Sequence, residues 1–199
     1  LLFLAAITKI PLIIIGKPGT SKSLSVQLIN NSMKGKFSEN EFFKKYPNIM
    51  QVYFQGSETT KPEDILELFK KAEYLNKNNK IKKDKNDLIP IIMILFDELG
   101  LADKSPTNSL KVLHSKLEYN GNNDGLCFIG ISNYSLDASK INRALILSLP
   151  NIDDNLPQLR DTAKNIVESI SKEISNDTSK IFVFYILSRA YYLYKYYLN

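Results

Sequence analysis

The sequence predicts an α/β domain built on a five-stranded, mainly parallel sheet. Three observations predict it. Short apolar runs rich in β-branched residues recur at 10–15, 49–54, 88–96, 126–131 and 144–149, separated by helical periodicity or long crossings. The run 88–96 is apolar at nearly every position, as in a parallel strand covered on both faces. Two runs also end in chemistry rather than in ordinary turns. The first opens into a small-residue loop closed by Lys22-Ser23, and the third stops at Asp97-Glu98. Ligands of open α/β sheets bind at such carboxyl ends of strands.

Taken in order, residues 1–8 read as the end of a helix leading into the strand 10–15. A helix follows from Lys22 to about Asn31, with Leu24 and Leu28 expected on its packing face. Residues 34–47 are mixed and polar and read as a loop with a short helix. The strand 49–54 stops at Gly56-Ser57, a turn signal. Pro62 suits the first turn of the next helix, and Glu63 and Asp64 complement its dipole. Its stripe Ile65, Leu68, Phe69, Ala72, Leu75 follows helical spacing. After the strand 88–96, Leu110, Leu113 and Leu117 mark a helix, and His114 beside them reads as helix packing. A short helix near 138–142 leads to Arg143 and the last strand, which Pro150 closes. Leu156, Leu159, Ala163, Ile166, Val167, Ile170 and Ile174 then keep helical spacing, and six tyrosines fill the segment 185–197. The division expected is 1–150 for the α/β domain and 151–199 for a small, partial helical lid.

The loop Gly16-Lys17-Pro18-Gly19-Thr20-Ser21-Lys22-Ser23 carries the most chemistry. Strand, small-residue loop, Lys-Ser and helix make the layout of a phosphate-binding P-loop. Its backbone N–H groups and the helix N-terminus would cradle phosphates. Lys22 would reach the β- and γ-phosphates, and the Ser23 hydroxyl would hold Mg²⁺. The pattern departs at Ser21, where a glycine is usual because positive φ and close approach are needed. Asp97 is the expected second Mg²⁺ ligand, and Glu98 the group that activates the attacking water. Asn133, at the end of the strand 126–131, is the expected polar sensor between γ-phosphate and water. Arg143, by spacing alone, is either a guanidinium supplied to a neighbouring site or a surface arginine at a helix end.

In this order the motifs resemble the AAA+ ATPases, which implies a three-layer P-loop domain followed by a helical lid, binding and hydrolysing ATP with Mg²⁺. More narrowly, Ile10–Leu24, Phe96–Ala102, Leu110–His114 and Ile129–Asp137 resemble an AAA+ unit of the mysterin family of giant ubiquitin ligases. That resemblance covers roughly 1–150. It implies that Lys22 and Ser23 are Walker A residues, and Asp97 and Glu98 Walker B. Asn133 becomes the first sensor, and Arg143 a finger acting on an adjacent unit. Arg160 and Arg189 are both open as a second sensor. The resemblance implies neighbouring AAA+ units in one long chain as partners, with protein substrate or ubiquitin machinery elsewhere in it. A catalytically silent nucleotide-binding scaffold, and a MoxR- or dynein-like motor unit unrelated to ubiquitin, stand as alternatives.

Composition narrows the partners. The net charge is +5, and residues 70–85 hold seven lysines against Glu73 and Asp84, which is the whole excess. The stretch 76–87 within it is almost devoid of apolar residues and reads as a solvated, disordered-like loop rather than a nucleic-acid contact. One Cys and one His cannot build a zinc site or an internal disulfide, which fits a reducing, cytoplasmic setting. Lys9 and Pro11 interrupt the first apolar segment, and Arg189 and Lys195 the last, so neither is read as a membrane span. The chain opens at Leu1 inside an apolar segment and is read as a piece of a longer polypeptide.

Overall fold

The computed structural model describes residues 1–81, 88–118, 126–137, 142–150 and isolated positions between 157 and 193. The chain divides into two compact units, Leu1–Leu149 and Pro150–Asn199.

The first unit runs α1 (Leu2–Thr8), β1 (Leu12–Ile15), α2 (Lys22–Ser32), a 3₁₀ turn (Gly35–Phe37), α3 (Glu41–Lys44), β2 (Ile49–Gln55) and α4 (Pro62–Ile81). It continues with β3 (Ile91–Asp97), α5 (Leu99–Asp103), α6 (Lys111–Lys116), β4 (Leu126–Ser132) and β5 (Leu145–Ser148). The five strands form one sheet in the order β2-β3-β4-β1-β5, and every pairing is parallel. Parallel neighbours cannot be joined by tight turns, and helices cover both faces of the sheet.

Alternation along β3 shows the layering. Ile92, Ile94 and Phe96 join a core with Ile65, Phe69 and Ala72 of α4, Leu99 of α5 and Leu113 of α6. Ile91, Met93 and Leu95 join the opposite core with Ala5 and Ala6 of α1 and Val26 of α2. Successive strand side chains point to opposite faces. An uninterrupted apolar run is therefore what a strand between two helical layers requires.

Local chemistry sets the element ends. Lys9 turns left-handed at φ 59° and stops α1. The Asn40 carboxamide oxygen accepts from the Phe42 N–H at 2.8 Å and caps α3. The Lys61 N–H donates to Asp64 Oδ2 at 2.8 Å where α4 begins.

Two expectations are corrected. Leu24 and Leu28 do not face the core; they are 53% and 58% exposed. Lys22 is turned into the preceding loop, so its helical neighbours Val26, Ile29 and Met33 share the inward side. The stretch 76–87 is not a loop from its start, because α4 continues to Ile81 with Asn76 buried. Residues 82–87, residues 138–141 of the short helix expected near 138–142 and most of the lid lie outside the described residues. Helical positions are described at 157, 161, 164, 185–187, 189–190 and 192–193.

Candidate functional site at the carboxyl ends of the strands

β1, β3 and β4 end side by side, and each delivers part of the site. From β1 the chain enters the loop Gly16–Ser23. The Gly16 N–H donates to the Ser132 carbonyl at 3.1 Å, so the loop is tied to the end of β4. A Cβ on Gly16 would lie 2.9 Å from Thr20 Oγ1, which shows how tightly the loop folds on itself. Gly19 has φ +84° with open space around it. Ser21 stands at φ 57°, the left-handed conformation a glycine adopts without strain.

Lys22 reaches back under this loop. Its Nζ donates to the Gly16 carbonyl at 2.6 Å, the Lys17 carbonyl at 2.9 Å and Thr20 Oγ1 at 3.3 Å. The side chain is buried, and burial pushes its pKa down while the Glu98 and Asp97 carboxylates push it back up. Both carboxylates are thus close enough for their field to be felt at the ammonium. The three direct acceptors of the ammonium are all uncharged oxygens.

From β3 come Asp97 and Glu98. Asp97 shares the sheet face of Leu95 and Met93, the side on which α2 packs. Its carboxylate oxygen Oδ1 accepts from the Glu98 N–H at 2.9 Å. Glu98 itself is left-handed at φ 52°, where the chain turns out of β3 into α5. From beyond β4, Asn133 Nδ2 donates to both Glu98 oxygens, at 2.9 and 3.1 Å. The carboxylate is therefore fixed in orientation and still ends in acceptor oxygens.

Of the sequence-predicted residues, Gly16, Lys17, Pro18, Gly19, Thr20, Ser21, Lys22, Ser23, Asp97, Glu98 and Asn133 all belong to this strand-end edge. Arg143 does not join them. It precedes β5, at the amino-terminal edge of the sheet, and its Nη1 donates to Glu118 Oε1 at 2.6 Å. Arg160 lies outside the described residues, and Arg189 donates from Nη1 to the Tyr185 hydroxyl at 3.4 Å.

Sequence reasoning missed three residues. Tyr53 sits opposite Leu95 in the β2–β3 register, diagonal to Asp97 on the same face. Burial and the Asp97 and Glu98 carboxylates hold its phenol above its ordinary pKa, hence protonated. Gly56 donates its N–H to the Asp97 carbonyl at 2.8 Å. Glu118 is the third. The alternation of 49–54 hinted at Tyr53, and Gly56 was marked only as a turn; Glu118 carried no local signal.

The donors suit a hard divalent cation. Ser23 and Asp97 offer hydroxyl and carboxylate oxygens, and no group of three or more His, Cys, Asp or Glu gathers among the described residues. Mg²⁺ is held this way, by one or two protein oxygens, with phosphates and waters completing the shell.

A family model described as RNF213 AAA domain matches residues 1–155. The E3 ubiquitin-protein ligase rnf213-beta of Danio rerio is 35% identical over 173 residues, covering 81% of this chain. The E3 ubiquitin-protein ligase RNF213 of Homo sapiens is 33% identical over 167 residues, again 81% of this chain. The chain spans only 3% of the length of either relative. Among solved structures, Thermotoga maritima RuvB matches 95% of this chain and 57% of its own, with TM-score 0.53 at 14% identity. The Aeropyrum pernix ORC2 protein, solved in ADPNP–ADP complexes, matches 84% and 48%, with TM-score 0.55 at 15% identity. At such identities the two structures show the shared fold.

Proposed function

The chain belongs to the RNF213 AAA domain family, a mysterin-like AAA+ unit with a P-loop fold, and from that membership we propose that it binds and hydrolyses ATP as one module of a much longer ubiquitin-protein ligase. The observation that carries this reading is the convergence at one sheet edge. A buried lysine sits in its glycine loop beside an Asp-Glu pair, and Asn133 aims the glutamate. A scaffold that only holds nucleotide has no use for an aimed carboxylate.

Each residue then has a task. The amides of 16–23 and the start of α2 surround the phosphates, and Lys22 exchanges its loop carbonyls for the β- and γ-phosphate oxygens. Ser23 and Asp97 would hold Mg²⁺, which when bound would neutralise charge on those oxygens. Glu98 accepts the proton of the attacking water, and Asn133 keeps that carboxylate in line. Arg143 stands at the far edge of the sheet, so it serves an adjoining AAA+ unit, where a finger is worth about 10³–10⁵ in rate. The chain alone consequently binds ATP better than it turns it over.

The relatives' ubiquitin transfer belongs elsewhere in such a chain. Cys127 is fully buried, and burial pushes its thiol up to about 12, so it carries no acyl group. No helix among the described residues is long and apolar enough to cross a membrane. Cytoplasmic placement follows from the reading as a ligase module.

Two variants test the proposal. Lys22→Ala should weaken Mg-ATP binding by about 100-fold or more, measured by titration with a fluorescent ATP analogue. Glu98→Gln should keep that binding and lose turnover in the full-length chain. Unchanged binding by Lys22→Ala overturns the P-loop reading. Turnover that does not depend on Glu98 favours the silent scaffold.

A further inference from the structure

Arg143 and Glu118 meet across 25 residues of sequence, each from an anchored backbone. Glu118 follows Leu117, which is 7% exposed and closes α6 by donating its N–H to the Leu113 carbonyl at 2.8 Å. Arg143 precedes Ala144, which packs against the α4-side core, and Leu145, whose N–H donates to the Pro11 carbonyl at 2.8 Å. The ends of α6 and β5 thus fix where the two side chains start. The bond itself fixes where the guanidinium points.

That bond uses Nη1 and leaves the Nη2 and Nε donors outside it. A guanidinium carries five N–H donors in a rigid plane, so it can rest one edge on a carboxylate and offer another to a phosphate. The Arg and Glu side chains are 39% and 50% exposed, so the pair contributes little to folding. Its consequence is orientation: an arginine otherwise free over four rotatable bonds is held at one place on the amino-terminal edge of the sheet.

We propose that Glu118 is a positioning residue, holding Arg143 in the direction from which it reaches the phosphates of an adjoining unit. The inference rests on the reading of Arg143 as a finger. Steady-state ATP turnover and nucleotide binding of the full-length chain test it. Glu118→Gln, isosteric and exposed, should lower turnover by roughly five-fold, the share of a finger's effect set by its orientation. Nucleotide affinity at Gly16–Ser23 should not change, because the pair lies at the opposite ends of the strands. Glu118→Asp should keep most of the rate, and Glu118→Gln should add nothing in an Arg143→Ala background. Turnover unaffected by Glu118→Gln while Arg143→Ala lowers it overturns the inference. So does an equal loss in the Arg143→Ala background, which would mark a general structural effect. If Arg143→Ala itself changes nothing, the finger reading falls and this inference with it, whereas the Lys22→Ala result stands on its own.

Discussion

Two residues at the site hold left-handed backbone without being glycine, Ser21 at φ 57° and Glu98 at φ 52°. That conformation costs an L-residue about 1–2 kcal/mol, and a glycine there would lose about 0.5–1 kcal/mol of chain entropy instead. Ser21 also stands just before α2 without a side-chain cap bond to the helix. Ser21→Gly should therefore raise stability by about 0.5–1 kcal/mol and leave Mg-ATP affinity intact. Urea unfolding of both forms checks it; a destabilised Ser21→Gly variant would mean the serine contributes a contact that outweighs its strain. The sequence made Ser21 conspicuous because the loop pattern is local and contiguous. The placement of Lys22 was legible as part of that same loop pattern, and that of Asp97, Glu98 and Asn133 because each lies at or just past the end of an apolar run. Tyr53 and Glu118 were not, since their partners Asp97 and Arg143 depend on strand register and on where α6 ends.

Among the elements, α5 is the one that the apolar pattern did not announce, and it sets the direction in which the chain leaves the strand-end edge at Glu98. It is only five residues long, and Glu98 stands just before it as the cap residue, its carbonyl accepting from the Leu101 N–H at 3.0 Å. Gly56, just past β2, fits against it so closely that a Cβ would stand 2.7 Å from the Glu98 carbonyl oxygen and 2.9 Å from Phe96 Cε2. The first neighbour is backbone. The second is a fully buried ring packed edge-on against Phe54 at 4.9 Å. Neither can step aside cheaply. Gly56→Ala should cost about 1–3 kcal/mol of stability, as overpacking does, and should displace Glu98. Turnover in the full-length chain should fall several-fold while the loop's affinity for Mg-ATP barely moves, a split read from parallel binding and turnover assays. Equal losses in both would show that the substitution loosens the fold rather than the Glu98 turn. The face of α2 illustrates the reverse difficulty. Leu24 and Leu28 looked like the inward pair, yet Lys22 fixes the helix rotation and puts Val26 inside. Hydrophobic periodicity gives a stripe, and here a polar contact of the loop decided which stripe is buried.

At the scale of the molecule, the parallel order β2-β3-β4-β1-β5 brings three strand ends together that are far apart in sequence. Five strands and their parallel sense could be read from apolar runs and crossings; the order could not, because apolar runs do not say which strand lies beside which. That order also decides the chemistry of Cys127. It lies on β4, between β3 and β1, beneath α1, with Sγ 3.8 Å from the Ala5 carbonyl oxygen. Burial raises the thiol from 9.0 to about 12, against a smaller lowering influence of Lys9. The folded state binds this proton more tightly than the unfolded chain does. The resulting contribution to stability is therefore present below pH 9 and is lost as pH rises from 9 through about 12. At pH 8 roughly one thiol in 10⁴ is ionised in the folded unit, and labelling must wait for opening that separates α1 from the sheet. A chromogenic disulfide reagent at pH 8 should thus react with the native chain at least about 10³-fold more slowly than with the chain in denaturant. The residual native rate should rise with urea in step with unfolding of the Leu1–Leu149 unit. Rapid stoichiometric labelling of the native chain would mean that α1 does not stay on β4, and with it that the two-sided core does not hold.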